Sequence, residues 1–209
     1  MMAMREATST HAANLGRVLR LEPFYGLAEE LWQWREIGQA GVFSFAKGLH
    51  LSARLIYAIR PLVAPQFHVD WGQLLTPYGD SCSPECDIIV YRNGYVQRWN
   101  GNETPVMDFR FVNAANAVAV ISCKSLVRSV DTDYCKSLRP YVRNVFLFGE
   151  CCASTRVARL KRDAMAAGYR GFWYLYAMEK GDQKSVDDRV WEDFLKAVQS
   201  VVKTHRRSR

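Results

Sequence analysis

An acidic residue and a lysine stand at the ends of two apolar runs in the sequence. Asp87 begins a run that continues to Tyr91, and Lys124 ends a second run that starts at Ala117. An acid on one buried strand and a lysine at the end of the next can place a divalent ion beside a scissile phosphate. Two residues before the lysine, where such a site normally carries a second carboxylate, the chain has Ser122. The residue types therefore indicate metal-assisted phosphodiester chemistry with one acid missing.

Length and charge limit how these residues can be used. The chain has 209 residues, is 49% hydrophobic and carries a formal charge of +7. We expect one domain over 1–209, with N-terminal helices (1–62), a core (63–180) and a C-terminal helix with a basic tail (181–209). The positive charge favours a polyanionic partner, and it is equally consistent with an ordinary basic surface.

The six cysteines and the lack of long apolar segments indicate the compartment. The N-terminal residues show no charged-then-apolar pattern that would suggest secretion, so we expect reduced thiols and a cytoplasmic location. Cys82 and Cys86 have no second pair at zinc-ligand spacing, which argues against structural zinc. No apolar run approaches the roughly 18 residues that span a bilayer, so no membrane partner is expected.

Hydrophobic periodicity predicts helices first and then a sheet. Apolar residues at helical spacing over 27–34 and 43–57 predict two amphipathic helices before Pro61. Short runs rich in β-branched and aromatic residues predict strands at 66–71, 87–91, 109–112, 117–123, 145–148 and 172–178. Helices are predicted at 133–142, at 155–167 and over the C-terminal 186–201, and 92–108 reads as a long turn or hairpin excursion. This order predicts an α/β fold with a mixed central sheet and helices on both faces.

Two segments carry a resemblance to a known superfamily. Gly79-Asp80-Ser81-Cys82-Ser83-Pro84-Glu85-Cys86-Asp87-Ile88-Ile89-Val90-Tyr91 is followed by Val120-Ile121-Ser122-Cys123-Lys124-Ser125-Leu126. In order and context they resemble the PD-(D/E)xK, or restriction-endonuclease-like, nucleases. They are most similar to a prokaryotic branch of uncharacterised domains with an S-x-x-x-D segment and an E-V-K-S-like segment. The resemblance covers about residues 40–150.

The resemblance implies a role for each matching residue. Asp87 would be the bridging metal carboxylate for Mg²⁺ or Mn²⁺, and Lys124 would orient or deprotonate the attacking water. The second metal carboxylate falls at Ser122, and a neutral hydroxyl coordinates Mg²⁺ poorly. Glu85 is the acid that we assign with Asp87 to the metal, and the other acids that could complete the shell are Asp80, Asp131, Asp133 and Glu150.

Three interpretations of Ser122 stay open. The acid has migrated, as in restriction endonucleases with an S-x-K segment. Alternatively, the chain is a degenerate nuclease that binds nucleic acid or a protein partner without cutting, and the lack of a clearly aligned glutamate in the preceding helix supports this interpretation. In the third, Asp87 caps a turn and Lys124 extends its stem from a strand end without any catalytic role.

Basic and aromatic residues are candidates for binding nucleic acid. Four cations at 156–162 could meet phosphates from one helical face, and a solvated face explains them equally well. Trp99 is a candidate for base stacking, and the basic tail from Lys203 to Arg209 is either a nucleic-acid grip or a frayed end. The four cations are Arg156, Arg159, Lys161 and Arg162.

The sequence thus predicts a metal-dependent endonuclease that hydrolyses phosphodiester bonds of nucleic acid, with DNA as the expected substrate and prokaryotic (phage) defence as the expected setting. The alternative is a catalytically degenerate subunit that binds nucleic acid or a protein partner. A homodimer or a partner protein in a defence complex is compatible with both functions. Fold analogy does not decide between them.

Overall fold

The computed structural model describes residue 26 and residues 44–63, 66–92, 96–98, 109–180 and 184–207. Four α-helices lie in these ranges: α1 (Ser44–Ile59), α2 (Thr132–Leu138), α3 (Val157–Ala167) and α4 (Asp188–Arg207). The strands are β1 (Phe67–Leu75), β2 (Cys86–Arg92), β3 (Val96–Arg98), β4 (Phe109–Asn113), β5 (Ala117–Val127), β6 (Val145–Ala153), β7 (Phe172–Met178) and β8 (Lys184–Ser185).

All eight strands of the described residues form one mixed sheet. Their order is β3-β4-β1-β2-β5-β6-β7-β8. The central β1-β2-β5 strands are antiparallel neighbours, whereas β5, β6 and β7 run parallel to one another. The parallel half is connected through α2 and α3, as crossover connections between parallel strands require. The predicted mixed α/β sheet is confirmed.

The helices cover both faces of the sheet, and strand alternation shows which helix lies where. Cys123 of β5 receives a hydrogen bond from Ser52 of α1. Its register partner on β6, Phe148, packs on Phe194 of α4, with 4.6 Å between the ring centroids. Lys124, the next residue of β5, points to the opposite face. There its ammonium lies 5.7 Å from the ring centroid of Tyr134 in α2. Helices α1 and α4 therefore cover one face, and α2 covers the other together with its neighbour α3.

Local chemistry sets the helix ends near the site. Asp131 precedes α2 and its Oδ1 accepts from the backbone N–H of Tyr134 at 3.0 Å, which is a helix N-cap. Helix α3 ends at Gly168, whose φ of 100° is the left-handed conformation that glycine adopts without steric cost. Both ends match the sequence prediction that a helix follows β5 and that another ends at 167.

The structure extends several predicted elements. Strands β5 and β6 run to Val127 and Ala153, four and five residues beyond the predicted ends. The 92–108 excursion includes strand β3, which pairs with β4, while Trp99 and most of that segment lie outside the described residues. The predicted helix at 27–34 also lies outside the described residues. Within the described ranges, no helix combines the length and apolar character needed to cross a bilayer.

Candidate active site

Asp87 lies near the start of β2 and faces the sheet surface that α2 covers. Ile88 pairs with Ile121, which places Asp87 directly opposite Ser122 on β5. Asp87 Oδ2 accepts a hydrogen bond from the Cys123 backbone N–H at 2.7 Å. Burial raises the pKa of the Asp87 carboxyl, although the Cys123 N–H and the Lys124 ammonium both act to lower it. Asp87 is therefore a partly buried carboxylate fixed at one oxygen.

Ser122 occupies the position across the strand pair from Asp87. Its side chain is fully buried, and its Oγ makes no hydrogen bond of normal geometry among the described residues. The hydroxyl is nevertheless close enough to Asp87 to lower the pKa of that carboxyl. A buried hydroxyl beside a carboxylate is a polar neighbour, but it supplies no negative charge to a metal ion.

Lys124 lies on the same face as Ser122, because residues two apart on a strand share a face. Its ammonium lowers the pKa of Asp87, so the two side chains interact electrostatically across β2 and β5. On its other side the ammonium lies 5.7 Å from the ring centroid of Tyr134, within cation–π range. The structure therefore brings together the acid and the lysine that the sequence singled out.

Glu85 is the second carboxylate at this end of β2. It raises the pKa of Asp87 through like-charge repulsion. Its Oε1 accepts a hydrogen bond from Trp71 Nε1 at 2.8 Å, and its backbone carbonyl accepts from the Tyr134 hydroxyl at 2.9 Å. Glu85 is thus an exposed glutamate held both at its side chain and at its backbone, two residues before Asp87.

The donor set fits Mg²⁺ or Mn²⁺ in a water-rich site. Magnesium usually binds to one or two carboxylates and completes its octahedron with water and substrate phosphate oxygens. Asp87 and Glu85 supply that number of carboxylates, and the Glu85 charge adds to the rise in the Asp87 pKa that burial mainly causes. Among the described residues, no three His, Cys, Asp or Glu side chains gather to hold a metal ion.

The other candidate acids lie in different surroundings. Asp80 bonds to Thr76 Oγ1 within the β1–β2 turn, and Asp131 caps α2. Asp133 is 98% exposed and lies 4.0 Å from Lys136. Glu150 is buried and accepts a hydrogen bond from the Tyr176 hydroxyl at 2.8 Å. Its neighbour Gly149 is the register partner of Lys124, and successive residues of a strand point to opposite faces, so Glu150 lies on the sheet face opposite to Lys124. Glu85 is the one of the five whose charge acts on the pKa of Asp87.

The predicted nucleic-acid-binding cations surround α3. Arg159 and Arg162 both lie near Asp163, at 3.2 and 3.8 Å, and both remain largely exposed. Arg156 donates to the Arg128 carbonyl at 3.5 Å, where β5 ends beyond the lysine. Burial raises the pKa of the Cys152 thiol, and Lys161 lies close enough to offset part of that rise. Contact with nucleic acid stays a prediction for all four.

Two aromatic residues of the site were missed by sequence reasoning. Trp71 is partly buried against the core, and its indole N–H donates to Glu85. Tyr134 was not singled out at all, although it contacts both Lys124 and the Glu85 backbone. The Asp131 N-cap three residues earlier was the available signal, because it predicts a helix that starts directly after the lysine strand.

Comparisons with known proteins agree with this geometry at the level of the fold. No family model matches the sequence, and no curated protein matches it. Among solved structures, the chain is similar to the cAAA-bound form of NucC from E. coli MS115-1, with 13% identity over 90% of both chains and a TM-score of 0.63. It is also similar to cAAA-bound NucC from P. aeruginosa ATCC27853, with 10% identity over 85% of this chain and 90% of that one and a TM-score of 0.56.

The resemblance drawn from residues 79–126 and the similarity of the coordinates point to the same architecture. The NucC match covers nearly the whole chain, so it includes the strands that carry Asp87 and Lys124. The chain therefore has a NucC-like, restriction-endonuclease-like α/β fold.

Proposed function

We propose that this protein is a metal-dependent endonuclease whose site is formed by Asp87, Glu85 and Lys124. The observation that carries the proposal is that Asp87 lies opposite Ser122 on the β2–β5 pair, on the face that Lys124 shares, with Glu85 two residues before Asp87. Both Glu85 and Lys124 act on the pKa of Asp87, although 37 residues of sequence separate the acid from the lysine. A structural role alone gives no reason to place two repelling carboxylates beside one half-buried ammonium.

In the proposed reaction, Asp87 and Glu85 would hold the divalent ion, which when bound would supply Lewis-acid activation of the phosphate and of a water molecule. Lys124 orients the attacking water and offsets the charge that develops on the phosphate. The backbone N–H of Cys123 fixes the Asp87 carboxylate toward the site. In this proposal Glu85 replaces the carboxylate that Ser122 does not provide. The second acid has therefore moved from β5 to the β1–β2 connection.

DNA is the substrate class that we propose, and bacterial defence is the setting. The fold is shared with the NucC DNA endonucleases of bacterial defence. A formal charge of +7 favours association with a polyanion, and each neutralised phosphate adds a salt-dependent contribution to binding. Both NucC structures compared above are cAAA-bound forms, so cAAA belongs among the activators to be tried.

The test is cleavage of supercoiled plasmid, single-stranded DNA and RNA by the purified protein. Each substrate is incubated with Mg²⁺, Mn²⁺ or chelator, in the presence and absence of cAAA. Lys124→Ala serves as the inactive control, and its fold is checked by circular dichroism. We expect metal-dependent cutting that the control lacks. Cutting that persists in chelator or in the folded control would refute the proposal.

Ser122 supports a second candidate function, a nuclease-like protein that binds nucleic acid without cleaving it. A neutral hydroxyl stands opposite Asp87, and in the part of the chain that the structure describes Glu85 is the one other carboxylate that we assign to the metal ion. This candidate predicts DNA affinity that is unaffected by Mg²⁺ or chelator. Fluorescence anisotropy with a labelled duplex, measured beside the cleavage assay, separates the two functions.

A further inference from the structure

Tyr134 connects the two chemically different halves of the proposed site. Its ring faces the Lys124 ammonium at 5.7 Å from the centroid, and its hydroxyl donates to the Glu85 carbonyl at 2.9 Å. The first contact reaches the residue proposed to position water. The second contact reaches the backbone of a proposed metal ligand. One side chain thus touches both β5 and the segment that leads into β2.

The position of Tyr134 is itself held firmly. Its backbone N–H donates to the Asp131 carboxylate at 3.0 Å, and its carbonyl accepts from Ser137 Oγ at 2.8 Å. The Asp131 carbonyl in turn accepts from the buried Tyr169 hydroxyl at 2.8 Å. The start of α2 is therefore anchored to the end of α3, and the Tyr134 ring has little freedom to move relative to the sheet.

The surroundings keep Tyr134 in its neutral form. Burial raises its pKa, and the nearby Cys86 and Asp87 act in the same direction. A neutral phenol donates its proton to the Glu85 carbonyl and presents the negative face of its ring to Lys124. It carries no charge that would compete with the phosphate or with a metal ion.

We propose that Tyr134 is the positioning residue of this site. Its ring sets where the Lys124 ammonium lies, and its hydroxyl sets where the Glu85–Asp87 segment begins. Helix α2 thereby fixes the spacing between the lysine and the two metal carboxylates. The inference rests on the proposed endonuclease function, but both contacts can be tested without cleavage.

Two substitutions separate the two contacts. Tyr134→Phe keeps the ring over Lys124 and removes the hydrogen bond to the Glu85 carbonyl. Tyr134→Leu removes both. Tyr141→Phe is the matched control, because the Tyr141 hydroxyl also bonds to the β1–β2 connection, at Ser81 Oγ 3.2 Å away, but outside the site.

The activity measurement is the Mn²⁺ dependence of plasmid cleavage. We expect Tyr134→Phe to raise the half-maximal Mn²⁺ concentration about tenfold, as loss of a support for a metal ligand typically does, with little change in the rate at saturating metal. Tyr134→Leu should also lower that saturated rate, whereas Tyr141→Phe should behave as the wild type. Equal behaviour of Tyr134→Phe and Tyr141→Phe would overturn the proposal.

The second measurement does not depend on activity. The lysines are reductively methylated with ¹³C, and the Lys124 signal is assigned by its loss in Lys124→Arg. A methyl group near the face of an aromatic ring shifts upfield, so the shift should persist in Tyr134→Phe and disappear in Tyr134→Leu. A Lys124 signal that is unchanged in Tyr134→Leu would overturn the positioning role even in an active enzyme. The expected shifts in a protein that never cleaves would uphold the positioning role and refute the nuclease.

Discussion

Two half-buried carboxylates, Asp70 and Asp87, lie on the same sheet face and are used differently. Asp70 on β1 accepts from Arg60 Nη2 at 2.9 Å and from the Tyr91 hydroxyl at 2.6 Å, with Arg110 Nε at 4.0 Å. Asp87 on β2 accepts one backbone hydrogen bond, at 2.7 Å, and has a like charge in Glu85. The two carboxylates have separate surroundings, because Tyr91, which binds Asp70, lies four residues along β2 from Asp87, about 13 Å at strand spacing.

The difference distinguishes a structural acid from a candidate functional one. Both oxygens of Asp70 are engaged by groups from three separate elements, so its charge is neutralised within the fold. Asp87 has fewer partners, and burial raises its pKa. A carboxylate that has few hydrogen-bond partners and lies near a second carboxylate and a lysine can still bind a ligand. The following predictions test this distinction, from the largest expected effect to the smallest.

Asp87→Asn should cost the most activity. The substitution keeps an oxygen for the Cys123 N–H but removes the charge that a metal ion needs. We expect cleavage to fall by about 10²–10⁴-fold, without loss of the free energy of unfolding. Plasmid cleavage in Mn²⁺ and urea denaturation in chelator measure the two quantities. A variant that cuts normally would make Asp87 a structural residue like Asp70.

Asp70→Asn should lower the stability of the fold and leave the cleavage activity unchanged, the opposite of Asp87→Asn. Removing the charge takes away the carboxylate that lies 4.0 Å from Arg110 Nε, and the Arg110 side chain is only 12% exposed. We expect the free energy of unfolding to fall by about 2–3 kcal/mol, below the cost of a fully buried pair because Arg60 is largely exposed. Urea denaturation measures the loss. The specific cleavage activity of the folded fraction should not change, and a loss of activity at full stability would contradict the comparison.

Trp71→Phe should moderately raise the metal concentration that cleavage requires. Phenylalanine keeps the packing against Phe109, whose ring centroid lies 4.9 Å away, and loses the N–H that binds Glu85 Oε1. We expect the half-maximal Mn²⁺ concentration for cleavage to rise about tenfold. The control is Trp173→Phe, which removes an indole on the α4 face. Equal metal dependence in the two variants would show that the indole bond does not support the site.

The stability of the apoprotein should depend on pH through Asp87. Because its folded-state pKa is raised above the ordinary value of 3.8, the folded chain holds this proton to higher pH than the unfolded chain does. The free energy of unfolding of the wild type should therefore fall relative to Asp87→Asn as pH rises above that value. Urea denaturation of both proteins in chelator, between about pH 4 and pH 7, tests the sign. A pH-independent difference would show that the pKa is not raised.

Ser122→Ala should have the smallest effect. The hydroxyl makes no hydrogen bond of normal geometry in the described residues, so its removal should change the free energy of unfolding by less than about 0.5 kcal/mol. If Glu85 is the second acid, Mn²⁺-dependent cleavage should also be kept. A large loss of cleavage at unchanged stability would instead assign Ser122 to the chemistry.

The sequence was sufficient to predict the sheet, and it placed Asp87 and Lys124 on strands that the structure pairs. Short runs rich in β-branched and aromatic residues, together with the Gly168 helix end, are local signals that survive folding. The contacts that Trp71 and Tyr134 make with Glu85 were not predictable in the same way. These contacts span 14 and 49 residues, and they depend on how the β1–β2 connection packs against α2.

The candidate acids show the same limit. From the sequence, Glu85 was assigned with Asp87 to the metal, and Asp80, Asp131, Asp133 and Glu150 stayed open as acids that could complete the shell. Strand register assigns Glu150 to the α4 face, and helix capping occupies Asp131. Register and capping geometry are fixed by tertiary structure, so setting these two acids aside required coordinates.

The most direct test of the account is the Mn²⁺ dependence of plasmid cleavage by Glu85→Gln beside the wild type. Glutamine can still accept the Trp71 hydrogen bond, so the substitution removes charge and little else. If Glu85 supplies the carboxylate that Ser122 lacks, the half-maximal Mn²⁺ concentration should rise by at least about tenfold. Identical metal dependence in the two proteins would contradict the account and leave Asp87 without its proposed partner.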